Sequence, residues 1–199
     1  MAFPRIGKTL LGAAALALPG LALAHTGADG GAHHLAGFGE GLAHPFTGMD
    51  HLAAMVAVGI WSAMTARRAW IAPLSFASLV LAGALMGIAN VALPAVEPMI
   101  AASLLVLGLL VATRASLPAG AGAVLAGGFA LFHGLAHGTE LTAAHSVAGA
   151  LAGMVLGTAL LHVAGLAIGH AMLRANAWWP RLLGGGVALL GAGFFTGMA

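Results

Sequence analysis

Apolar residues in this chain do not alternate with polar ones, nor do they recur at one helical face. They come in six long runs, at approximately 46–66, 71–93, 97–113, 119–141, 146–172 and 179–198. At ~1.5 Å of rise per residue, most of these runs reach the ~30 Å thickness of a bilayer's hydrocarbon core, the third being short and the fifth long. Each ends at a punctuator: Arg67-Arg68, Pro94 to Pro98, Arg114 with Pro118, the polar 138–145 region, and Arg174 to Pro180. The pattern predicts an all-α, polytopic membrane protein, a compact bundle of six transmembrane helices over residues 44–199. Two segments precede it. Residues 1–24 read as a signal peptide, with Arg5 and Lys8 before an apolar stretch and Ala22-Leu23-Ala24 as the small-x-small cleavage pattern. Residues 25–43 are rich in Gly and His, show no apolar period and read as an exported lead-in.

Composition strengthens this picture. The 199 residues are 61% hydrophobic and 6% charged, too few charges to clothe a soluble domain. After the signal, every basic residue (Arg67, Arg68, Arg114, Arg174, Arg181) falls in an inter-helix turn on one side, while Glu97, Glu140 and His145 fall on the other. By the positive-inside rule the mature termini are then periplasmic and the protein sits in a bacterial inner membrane. The scattered bases make no patch for nucleic acid, and no Gly-x4-Gly-Lys-Ser/Thr loop is present to bind a nucleotide. The expected partners are the lipid bilayer and an ion. Many of the 31 glycines form ridges: Gly83-x3-Gly87, Gly149-x3-Gly153-x3-Gly157, Gly165-x3-Gly169 and Gly193-x3-Gly197. Such ridges let helix backbones approach closely, within a bundle or between copies in an oligomer.

The candidate chemistry lies in the histidines. The chain has ten, against five carboxylates and no cysteine, which removes thiolate sites and leaves nitrogen and oxygen donors. His44, Asp50 and His51 fall within eight residues at the mouth of the first run. Pro45 suits the first helical position and turns His44 away from helical dihedrals, onto the lead-in. Asp50 and His51 diverge by about 100° on a helix, so one can ligate while the other supports it. The fourth run ends with His133, His137 and Glu140, spaced to share one helical face. Gly134 and Gly138 beside them admit a neighbouring helix to complete a site. Ionisable groups are rare within spans and normally functional, so these two clusters read as halves of one metal site near the exported face. His145 opens the fifth run and could join it. His162, mid-span, is either an onward ion position or a hydrogen-bonded packing partner. His25, at the new N-terminus after cleavage, could chelate through its α-amine and imidazole.

The His-x5-Asp-His run (His44 to His51) and the Phe-His-Gly-x-Ala-His-Gly-x-Glu run (Phe132 to Glu140) resemble the paired signatures of the HupE/UreJ family. The resemblance implies a nickel or cobalt permease, not an enzyme, in which His44, Asp50, His51, His133, His137 and Glu140 are needed for transport. No cofactor is expected to be permanently bound. The ion would be transported Ni²⁺ or Co²⁺, although Zn²⁺ and Cu²⁺ also bind such donors well. Two other readings use the same residues: an intramembrane zinc-dependent hydrolase and a membrane metal-binding accessory protein without flux. The hydrolase lacks a His-Glu-x-x-His signature and a nucleophile beside the cluster.

Overall fold

The structure, a computed structural model, describes residues 37–142, 144, 146–174, 176 and 178–197. The signal-peptide assignment for residues 1–24 lies outside them. Seven α-helices follow one another: α1 (Phe38–Thr47), α2 (Met49–Thr65), α3 (Ile71–Ile88), α4 (Val96–Thr113), α5 (Ala119–Leu141), α6 (Val147–Leu173) and α7 (Trp178–Thr196). Among the described residues there is no strand. Helices α3, α4, α5 and α6 are long and apolar enough to cross a membrane. Their apolarity continues onto the outside of the bundle, where Leu74 and Val124 are 62% and 76% exposed. A surface of that kind is at home in lipid rather than water.

The beginning of the bundle corrects the sequence reading. The helical path starts at Phe38, inside the segment expected to be a loop, and breaks at Gly48, whose backbone is extended (φ −87°, ψ 118°). Pro45 therefore lies inside α1 rather than at the first helical position, and His44 is helical rather than on a lead-in. Packing explains the difference. Gly37 and Gly41 of this segment lie against Ser146 and Ala150, and Gly153 of α6 lies against Phe38 and Leu42. Tertiary burial of this kind stabilises a short helix that propensity alone would not form. Pro45 has no N–H to continue the ladder. The helix stops soon after it, where the Thr47 hydroxyl donates to the His44 carbonyl at 2.8 Å. At the other end of the bundle's first half, α3 stops at Ile88 rather than near 93. Asn90 takes a left-handed φ of 56°, and Val91 to Leu93 lead into Pro94, which disfavours helix before it.

Besides the α1/α6 contact, three seams of glycine hold the helices together. Gly83 and Gly87 of α3 meet Leu131 and Leu135 of α5, while Gly134 and Gly138 of α5 meet Val80 and Ala84 of α3. Residue numbers rise together, so these two helices run parallel. Gly59 of α2 meets His162 and Leu166 of α6, and Gly165 and Gly169 of α6 meet Val56 and Ile60 of α2, again parallel. Gly184 and Gly191 of α7 meet Ala112 and Leu105 of α4, so that pair is antiparallel. A Cβ at most of these positions would fall onto backbone atoms, leaving only glycine at this separation. The ridges at Gly83/Gly87, Gly153/Gly157 and Gly165/Gly169 are thus occupied within the chain itself. Because α1 and then α2 lie along α6 in order, they form one interrupted helix matching α6 along its length. Between the seams sits an apolar core that includes Met55, Ile60, Phe76, Val80, Leu104 and Leu107, all fully buried.

Candidate metal centre

The break at Gly48 gives α2 a fresh N-terminus, with Asp50 in its first turn. Asp50 Oδ1 accepts the His51 backbone N–H at 2.9 Å, satisfying one of the helix's free donors. The same oxygen lies 2.8 Å from His51 Nδ1. An ionised carboxylate can only accept, so Nδ1 carries the proton and Nε2 the lone pair. That Nε2 is buried and has no partner. The pair thus has the form of a carboxylate–histidine support with one nitrogen left over. Gly48 lies directly beside it: a Cβ there would stand 2.8 Å from Asp50 Oδ1 and 3.0 Å from His51 Nδ1.

Helix α5 presents the second cluster. Gly134 and Gly138 seat α3 against one side of α5, which turns the neighbouring His133 and His137 inward, where they are 0% and 2% exposed. The helix admitted by those glycines is α3, and what it brings to the imidazoles is the Phe76 ring, 5.8 Å from that of His133. The remaining donors arrive from α1 and α2 instead. The rings of His51 and His137 are 3.9 Å apart, those of His51 and His133 4.7 Å, and those of His44 and His137 4.4 Å. His44 Nε2 lies 2.9 Å from Glu140 Oε2.

The six residues singled out in the two motifs therefore converge, in two layers that share His137. The outer layer is His44, His137 and Glu140, whose donor atoms lie within 4.8 Å of one another. Side-chain rotation can close such a set on one ion, since metal–nitrogen and metal–oxygen bonds are about 2.0–2.2 Å long. The inner layer is His51 and His133 with the buried side of His137. His51 Nε2, His133 Nδ1 and His137 Nε2 are all buried and all without a partner. Buried polar atoms without a partner are uncommon because each forfeits its hydration, and these three belong to imidazoles packed against one another, an arrangement able to accept a ligand. A groove of about 300 Å³ reaches the outer layer, lined by Glu97 and Ile100 of α4 and by Ala136, Thr139 and Glu140 of α5.

The other candidates fare differently. His162 on α6 is 3% exposed, and its ring lies 5.2 Å from Phe76, one aromatic ring away from His133. Its Nε2 has no partner, so among the described residues it is not a hydrogen-bonded packing residue through that atom. His145 and His25 lie outside the described residues. Two neighbours of the site escaped the sequence reading. Phe76 looks like any core aromatic in an apolar run, and Ser103, whose Oγ is 2.8 Å from His133 Nε2, sits alone in another. Neither lies near either motif in sequence, so no spacing could reveal them.

Comparison with known proteins agrees with the motifs. The HupE / UreJ protein family matches the chain over residues 13–194. The chain belongs to the HupE/UreJ family. Protein HupE of Rhizobium leguminosarum bv. viciae is 43% identical to it over 201 residues, covering 99% of this chain and 100% of the relative. No solved structure matches. Membership and the apolar helices together make this a multi-pass membrane protein.

Proposed function

We propose that this HupE/UreJ protein is a permease that imports a divalent transition metal, Ni²⁺ in the first place and Co²⁺ as a second cargo. The observation that carries this reading is the set of three buried, partnerless imidazole nitrogens beneath the His44–Glu140 pair. A membrane interior penalises unsatisfied polar groups, so such a set is stable only if something else ligates it. Neutral imidazoles and carboxylates without thiolate suit borderline divalent ions. Helices α2 to α7 form six spans of alternating direction, consistent with the parallel α2/α6 and α3/α5 seams and the antiparallel α4/α7 seam. The turns carrying Arg67, Arg68, Arg114 and Arg174 then face the cytoplasm, with Arg181, which lies in the first turn of α7 rather than in the preceding turn, and the metal centre lies toward the exported side of the inner membrane. The ion enters along the groove beside Glu97, is captured by His44, His137 and Glu140, and passes to His51 and His133.

Metal accumulation in liposomes containing the purified protein alone tests the proposal. The parent should load nickel, and His51→Ala and His133→Ala variants present at equal amounts should not. Variants that accumulate nickel like the parent would remove the reading. Tight binding with no accumulation would assign the chain to the accessory class instead.

A further inference from the structure

Ser103 belongs to α4, a helix that carries none of the residues named by the two motifs. It is fully buried, and its Oγ has two close neighbours: the Ile100 carbonyl at 2.6 Å and His133 Nε2 at 2.8 Å. A serine in a membrane helix commonly satisfies itself by donating to a carbonyl one turn back, and needs nothing more. Here the geometry leaves a second bond, and proton counting fixes its direction. A hydroxyl has one proton, and a carbonyl oxygen can only accept it, so the Ser103 O–H donates to Ile100. The oxygen then offers only lone pairs to the imidazole. His133 Nε2 must therefore be the N–H, and its lone pair must sit on Nδ1. That is the atom of His133 that is buried without a partner.

The same logic applied to Asp50 puts the proton of His51 on Nδ1 and its lone pair on Nε2. The two imidazoles are thus held in opposite tautomers by two different supports, a carboxylate on α2 and a hydroxyl on α4. Each support leaves free the one nitrogen that has no protein partner. Nothing in the spacing of the motifs requires this. It follows from Ser103 lying six residues further along α4 than Glu97, roughly 9 Å deeper than the groove's mouth.

We propose that Ser103 is a positioning residue of the metal centre: through the Ile100 carbonyl it holds His133 as the Nε2–H tautomer and presents Nδ1 to the ion. The proposal rests on the permease reading for the presence of an ion, and it adds which atom of His133 receives it. Outer supports of this type typically change metal affinity about 10–100-fold when removed.

The test uses the full-length protein in lipid nanodiscs, titrated with Ni²⁺ alone, with ¹⁵N-histidine NMR on the metal-free protein. Ser103→Ala should weaken nickel binding about 10–100-fold. It should also convert the His133 signal from a single Nε2–H tautomer to a mixture. Ser103→Thr should restore both, because its hydroxyl can make the same bond to a carbonyl one turn back. An alanine variant with unchanged affinity and an unchanged His133 tautomer overturns the role of Ser103 while His133→Ala still abolishes binding. If His133→Ala itself binds nickel like the parent, the site reading falls as well. A spectrum of the parent showing His133 protonated on Nδ1 overturns the proposal whatever the affinities.

Discussion

The two layers of the proposed metal centre are built on opposite principles. In the outer layer, His44 and Glu140 hold each other, and their side chains are 27% and 62% exposed. Water can replace either partner, so the layer can open and close at little cost. In the inner layer, His51 is held from behind by the Asp50 carboxylate, whose side chain is 24% exposed, and His133 by the fully buried Ser103 hydroxyl, and the free nitrogens of both imidazoles are buried without a partner. A partner-satisfied, wet pair is suited to catching and releasing an ion. A dry, pre-oriented set is suited to choosing it, because its donors are fixed before the ion arrives and lose little freedom on binding. His137 touches both rings and belongs to both tasks.

This contrast can be broken in graded ways. The largest expected effect is that of His133→Ala, which removes an inner donor and should reduce nickel uptake by liposomes to background while the protein remains folded; retained uptake would show that the inner layer is only packing. Next comes Asp50→Asn, nearly isosteric but able to present an N–H to His51. It should weaken nickel affinity about 10–100-fold, the range for lost histidine supports, as measured by calorimetry. Gly48→Ala pushes a methyl into the Asp50–His51 pair without touching either residue, and about a tenfold loss is expected, at the low end of that range. Unchanged affinity there would mean the pair relaxes freely. The smallest effect belongs to Glu140→Gln. It keeps an oxygen donor in a layer open to water, so nickel affinity should fall by less than about tenfold, below the range for the histidine supports. A loss as large as that of Asp50→Asn would erase the distinction between the layers.

Much of the bundle was legible because lipid imposes so simple a rule. Long uninterrupted apolar runs can only be helices, and Arg67-Arg68, Pro118 and Pro180 mark their ends, so α5 was expected and found over the same residues, 119–141. The first helix was misread for the converse reason. Gly37, Gly41 and Pro45 argue locally against a helix, and only contact with Ser146 and Ala150, more than a hundred residues away in the chain, reverses that argument. The motif residues were identifiable as ionisable groups in the wrong solvent. Their supports were not. Ser103 is one small polar residue among Ala101, Ala102, Leu104 and Leu105, and its meaning resides in a distance to another helix. The glycines of α5 were read as making room at the site, yet they serve the α3 seam and orient the histidines only by doing so.

The three seams carry a consequence for how the protein comes into being. They join α2 to α6, α3 to α5 and α4 to α7, so none links helices that follow each other along the chain. During synthesis, α2, α3 and α4 emerge before any of their seam partners has been made. The first seam closes only when α5 arrives, and α4 waits for the last helix of all. The nascent protein therefore passes through a long interval as loosely associated helices, and a chain stopped after Leu173 should leave the side of α4 that carries Ala101, Gly108 and Ala112 uncovered. Order of birth and order of assembly are different things in this molecule, and the proposed metal centre, drawn from α1, α2, α4 and α5, has its shape only after both are complete.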